Sequence, residues 1–61
     1  MKVGDAVRVV SSGLVGNVIR VFWRAAAGSG ISYIDKVQVR HPNGMVSEHD
    51  PSSLEVIDEN A

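Results

Sequence analysis

The chain has 61 residues, a formal net charge of −1 and no cysteine. A domain this small buries only about 60% of the surface that its unfolded chain exposes, so its stability is limited. Without cysteine, neither disulfide bonds nor thiolate metal sites can add stability. No apolar run approaches the ~20 residues of a membrane span and no signal peptide is present, which predicts one cytoplasmic domain with no membrane partner. Self-association is then the expected source of additional stability.

The first part of the chain predicts a β-hairpin. Two valines, Val7 and Val9, alternate with an arginine, which is the period-two pattern of a half-buried strand. Gly13 and Gly16 lie three positions apart, and positive φ angles at glycine let the chain reverse there. The β-branched run over 17–23 then predicts a second strand, whose weak polar alternation indicates a bulge or burial on both faces.

The middle of the chain predicts a loop and then a second hairpin. Residues 24–30 are small and lack an apolar period, which is typical of a flexible loop with room for one helical turn over the alanines. Strand character resumes over 31–41. The His-Pro-Asn-Gly segment at 41–44 is the strongest turn signal, because proline pre-sets φ and glycine accepts a positive φ. A returning strand is predicted over 45–49.

The last part of the chain predicts a single helical turn and a short closing strand. Asp50 is a candidate cap and Pro51 suits the first position of a turn over 50–54. A strand follows at 55–57, and residues 58–61 are predicted to form a frayed acidic tail. Five short antiparallel strands with one 3-10 turn before the last predict an all-β, SH3-like barrel over residues 1–57.

Charge alone does not select a partner for this domain. The acidic residues are concentrated at the end of the chain, where Glu55, Asp58 and Glu59 follow a weakly basic body. This distribution is compatible with a nucleic-acid ligand and with a protein partner.

The first hairpin resembles the KOW motif of ribosomal proteins and of NusG-type transcription factors. The resemblance consists of the Gly-Asp-x-Val-x-Val segment at 4–9 and the Gly-x-x-Gly-x-Val-x-x-Val segment at 13–21, about a third of the chain. It implies a small barrel that binds nucleic acid.

Over nearly its full length the chain is similar to the electron-transport accessory proteins, which include the photosystem I PsaE subunit and the variable chain of ferredoxin-thioredoxin reductase. The similar segments are the opening at 1–9, the Val-x-Val strand at 37–39 and the His-x-Pro-x-x-Leu segment at 49–54. This resemblance implies a docking subunit without chemistry of its own.

A third resemblance, to the plasmid-encoded type B dihydrofolate reductases, implies an enzyme. It rests on the Gly-Asp-x-Val-Arg segment at 4–8, the Ser-Gly turn at 12–13 and a segment at 44–57 that aligns without gaps. Those enzymes are tetramers whose pore holds folate and NADPH. Val46–His49 stands where the family has Val-Gln-Ile-Tyr, and Val9 stands in place of the pore lysine.

No group of residues in the sequence predicts a catalytic, metal or cofactor site. The segment 47–50 contains the residue types of a hydrolytic triad, but alternation in a strand places Ser47 and His49 on one face and Glu48 on the other. His41 and His49 lack the third ligand at a typical spacing that zinc requires. The Gly-x-Gly pair at 28–30 lacks the lysine and the following helix of a phosphate loop.

The arginines and aromatic residues are the best candidates for a contact surface. Arg20, Phe22 and Arg24 share one face if the second strand is regular, and arginine beside an exposed aromatic ring suits phosphates and bases. The alternatives are that Phe22 and Trp23 belong to the core and that the arginines are solvated outward positions. Aromatic residues and methionine are also enriched at protein interfaces. The predicted partner-binding residues are Arg20, Phe22, Trp23, Arg24, Tyr33, Arg40, His41, Met45 and His49.

The sequence therefore predicts a non-catalytic binding module that docks on a protein partner or on its own copies and has no cofactor. The net charge and the absence of a dense basic stripe favour this function over nucleic-acid binding, which is the first alternative. A reductase-like enzyme is the second alternative.

Overall fold

The computed structural model describes residues 1–57, and the predicted acidic tail at 58–61 lies outside the described residues. The described chain forms five β-strands and one 3-10 turn, as predicted. The elements are β1 (Ala6–Val9), β2 (Val15–Ala25), β3 (Ser32–Arg40), β4 (Val46–His49), a 3-10 turn (Pro51–Ser53) and β5 (Leu54–Val56).

The strands form one antiparallel sheet with the order β4-β3-β2-β1-β5. The chain therefore meanders through β1 to β4, and the 3-10 turn then brings β5 back beside β1. Strands β4 and β5 are the two edges of the sheet and do not pair with each other. The sheet is open, so closure into a barrel stays a prediction.

The core is small and consists almost entirely of valine. One face of the sheet carries six buried apolar residues, and Met1, Val21 and Ile34 pack partly against them. β-Branched side chains are stiff and fit a pleated surface, so they form a compact layer at low entropic cost. The buried residues are Val7, Val9, Val18, Val37, Val39 and Leu54.

The predicted turns form, but the two glycines of the first hairpin have different roles. Gly13 has a φ of +77° in the β1–β2 turn, and Gly44 has a φ of +89° in the β3–β4 turn. Gly16, by contrast, lies within β2 without a positive φ. A Cβ atom at Gly16 would lie 2.6 Å from the backbone oxygen of Arg40 and from Cγ1 of Val39. Close approach of β3, rather than chain reversal, therefore requires glycine at position 16.

The predicted irregularity of the second strand is confirmed. The β2–β3 register shifts between Val18 and Arg20 and again between Phe22 and Trp23, as β-bulges do. Strand β2 also continues to Ala25, so part of the predicted loop at 24–30 is strand. The helical turn considered over the alanines is absent from the described chain.

Ion pairs between exposed side chains connect elements that are distant in sequence. Arg8 and Glu55 are directly opposite on β1 and β5, with 2.9 Å between Nη2 and Oε2. Lys36 Nζ donates to Asp50 Oδ1 at 2.5 Å. Asp50 precedes the 3-10 turn as predicted, but its side chain makes this bond with Lys36 instead of capping the turn.

The described residues include no helix long and apolar enough to cross a membrane.

Candidate functional site

The β2–β3 hairpin carries a face rich in arginine and aromatic side chains, called here the arginine face. Arg20 lies opposite Gln38, Phe22 opposite Lys36, and Arg24 opposite Tyr33. Directly opposed residues point to the same side of a sheet, and these pairs alternate with the core pairs along the hairpin. The arginine face consists of Arg20, Phe22, Arg24, Tyr33, Lys36, Gln38 and Arg40.

The arginine face is positively charged but partly neutralised. The Arg20 guanidinium carbon lies 4.9 Å from the centre of the Phe22 ring, within cation–π range. Arg24 is 3.9 Å from Asp35, and the hydrogen bond and charge of Asp50 raise the pKa of Lys36 above its ordinary value. Within residues 1–57, Arg20 and Arg40 make no ion pair. Phe22 is half-buried beneath Arg20 and is not part of the valine core.

Trp23 lies on the opposite face of β2, in a second surface called here the tryptophan depression. It is opposite Ile34 and follows the bulge after Phe22. Its side chain is 62% exposed, which answers the alternative that it belongs to the core. The depression has a volume of about 330 Å³, and its lining residues are Met1, Lys2, Val3, Ile19, Arg20, Val21 and Trp23.

A third surface, called here the histidine groove, lies at the opposite end of the sheet between the β1–β2 and β3–β4 turns. It has a volume of about 450 Å³ and is predominantly apolar. Its polar centre is a hydrogen-bonded row of three side chains, in which Ser47 lies between two histidines. The lining residues are Val9, Ser12, Leu14, Val15, His41, Pro42, Asn43, Met45, Ser47 and His49.

The distances in this row are short. His41 Nε2 is 2.7 Å from Ser47 Oγ, and His49 Nε2 is also 2.7 Å from Ser47 Oγ. His41 Nδ1 is 2.9 Å from the carbonyl oxygen of Val15. The two imidazole rings are perpendicular, with their centres 6.5 Å apart. The register explains the arrangement, because Ser47 is opposite Val39 and His49 opposite Val37, both core residues.

The nine predicted contact residues thus divide among three surfaces. Five of them, on β2 and β3, belong to the arginine face, and one of these five, Arg20, also lines the tryptophan depression beside Trp23. His41, Met45 and His49 line the histidine groove.

Several residues of these surfaces were not predicted from the sequence. Ser47 was placed on the same face as His49, but its contact with His41 depends on the register of the β3–β4 hairpin. The apolar residues of the β1–β2 turn, among them Leu14, form no pattern in the sequence that would indicate a binding surface. Within residues 1–57 no three histidine or acidic side chains are grouped as metal ligands.

Comparisons with protein-family models, with curated proteins and with solved structures found no match to this chain. The function of the chain is therefore inferred from the residues and the geometry of its three surfaces.

Proposed function

We propose that this chain is an SH3-like binding module that associates with a second copy of itself through the tryptophan depression. Its strand order and the 3-10 turn before β5 support the SH3-like class. The main observation in support of the proposal is that more large apolar residues are exposed than are buried. Six apolar residues are buried, whereas eleven large ones are exposed in the described chain, and the largest side chain among the exposed ones is that of Trp23.

A second copy is the occupant that the stability of the domain favours. Small domains with thin cores are commonly stabilised by disulfides, metals or oligomerisation. The sequence has no cysteine, and residues 1–57 contain no group of metal ligands. Association through the depression would cover three of the exposed apolar residues, Val3, Ile19 and Trp23. Met1 and Val21 line the same depression and pack partly against the core, so the contact would extend the core across the interface.

The depression is also suited to a two-fold contact. In such an interface the same patch faces itself, so it must contain both a protruding group and a cavity that accepts it. The exposed Trp23 ring lies beside a depression of about 330 Å³ lined by Met1, Val3, Ile19 and Val21. Each ring can therefore enter the depression of the partner copy. Tryptophan at the centre of an interface is a frequent energetic hot spot.

Sedimentation equilibrium of the wild type and of Trp23→Ala tests this function. Loss of a central hot spot of about 2 kcal/mol or more weakens a dimer by about 30-fold or more. The control is Met45→Ala, because Met45 is 65% exposed but lies in the histidine groove. We expect this control to dimerise like the wild type. A wild type that is monomeric at millimolar concentration, or equal dimerisation of Trp23→Ala, would contradict the proposal.

Nucleic-acid binding through the arginine face is a second candidate function. It is supported by the shared orientation of Arg20, Phe22, Arg24 and Tyr33, since guanidinium groups bind phosphates and aromatic rings stack on bases. Binding of a single-stranded oligonucleotide should weaken as salt increases, because the phosphate contacts release counterions.

The variant Arg20→Ala tests this candidate against Arg8→Ala, which removes the same charge from β1. Arg8 is paired with Glu55, whereas Arg20 makes no ion pair within the described chain. We expect Arg20→Ala to reduce affinity and the salt dependence more than Arg8→Ala. Equal effects of the two variants would show a general charge effect, and no binding at low salt would exclude the function.

A further inference from the structure

The hydrogen bonds of the histidine groove have a defined direction. The carbonyl oxygen of Val15 can only accept, so His41 must carry its proton on Nδ1 to make the 2.9 Å bond. In the neutral imidazole Nε2 is then an acceptor. With neutral His41, Ser47 Oγ donates its hydroxyl proton to His41 Nε2, and His49 Nε2 donates to Ser47 Oγ.

This arrangement contains the parts of an activated nucleophile. A serine is activated when a general base lies within about 2.6–3.2 Å of its hydroxyl and a third group orients that base. His41 Nε2 is the base at 2.7 Å, and the carbonyl of Val15 is the orienting group. The triad considered from the sequence was confined to the segment 47–50, where His49 was the only histidine, whereas the base here is His41, six residues before Ser47 across the hairpin.

The surroundings of Ser47 suit an acyl group. The groove volume of about 450 Å³ lies within the range of small-ligand sites, and its walls include Val9, Leu14 and Met45. Ser47 itself is half-buried, so its hydroxyl is shielded but accessible from the groove. A linear apolar chain can lie along these walls while its carbonyl carbon reaches the hydroxyl.

The free edge of β4 provides backbone donors next to Ser47. The His41 N–H donates to the Met45 carbonyl, and hydrogen-bonded pairs alternate along an antiparallel ladder. The N–H groups of Val46 and Glu48 therefore point away from β3, toward an edge where the described sheet has no further strand. Such donors can stabilise a developing oxyanion.

We propose that Ser47 is a nucleophile that accepts an acyl group from carboxylic esters with a short apolar acyl chain. Ser47 Oγ forms a bond to the ester carbonyl carbon while its proton passes to His41 Nε2. The bond to the alkoxy group then breaks, and the leaving oxygen takes that proton. Water hydrolyses the acyl-serine by the same sequence, with His41 as base, so one ester and one water give one acid and one alcohol.

The test is covalent labelling of the full chain with an alkyl fluorophosphonate, followed by peptide mapping, alongside hydrolysis of p-nitrophenyl butyrate. We expect one label on Ser47 and none on the other serines. Ser47→Ala should lose both the label and the hydrolysis. His41→Asn should slow both by about 100-fold or more, because its side-chain N–H can keep the bond to Val15 while the base is lost.

A control variant outside the groove keeps the comparison of labelling rates specific. Ser32→Ala changes an exposed serine that does not line the histidine groove and should leave labelling of Ser47 unchanged. Amide NMR spectra establish that each variant is folded. Labelling of Ser47 no faster than of Ser32, or undiminished labelling in a folded His41→Asn variant, would overturn the proposal.

Discussion

Replacing Gly16 with alanine is expected to destabilise the domain by separating β2 from β3. The added Cβ atom would lie 2.6 Å from the Arg40 carbonyl oxygen and from Val39 Cγ1, whereas ordinary contact begins at 3.4 Å. One of these neighbours is backbone, so a side-chain rotation cannot relieve the contact. Overpacking of this kind costs typically about 1–3 kcal/mol.

A smaller effect acts in the opposite direction. Alanine restricts the unfolded chain more than glycine does, which stabilises a protein by about 0.4–1 kcal/mol where the native backbone tolerates it. The net expectation is a loss of about 1–2 kcal/mol. A domain of this length has a total stability of only about 3–9 kcal/mol, so the loss is a large share of it.

Urea denaturation followed by circular dichroism measures this loss. With a slope of about 1 kcal/mol per molar urea for a small domain, the midpoint should fall by about 1–2 M. The control is Asn17→Ala, an exposed position of the same strand, which should change stability by no more than about 0.5 kcal/mol. A Gly16→Ala variant as stable as the wild type would refute the close approach of β3.

Three other changes test the fold. Val37→Ala should cost about 2 kcal/mol or more in urea denaturation, because it removes two methyl groups from a fully buried site and leaves a cavity. Gly44→Ala should cost about 1–2 kcal/mol, since alanine is strained at a φ of +89°; equal stability would contradict the turn. Because Asp50 raises the pKa of Lys36 from 10.5, their pairing stabilises the fold below that pH and is lost as the pH rises through the folded pKa. Thermal denaturation should therefore show that Asp50→Asn reduces stability at neutral pH but not at strongly alkaline pH.

Local signals in the sequence were sufficient to predict most of the secondary structure. The alternation of Val7 and Val9, the proline and glycine of the 41–44 turn, and the Asp-Pro pair at 50–51 each act within a few residues. An irregularity of β2 was also predicted, because its apolar run exceeds what one face of a strand can bury, and the structure has a bulge at Ile19.

The surfaces could not be predicted because they depend on register. A one-residue shift turns every following side chain to the other face, so the bulge between Val18 and Arg20, where Ile19 has no partner on β3, decides which face Phe22 and Trp23 each take. The contact of His41 with Ser47 depends in the same way on the β3–β4 pairing. The role of Gly16 could not be recognised either, since it results from the approach of another strand.

The most direct test of self-association through Trp23 is its own fluorescence. Trp23 is the only tryptophan of the chain, and in the single copy its side chain is 62% exposed. Its emission maximum should shift to shorter wavelength as the protein concentration rises, because the ring leaves water for the partner's depression. The same midpoint should appear in sedimentation. Emission typical of an exposed tryptophan at every concentration up to the millimolar range would contradict the proposed function.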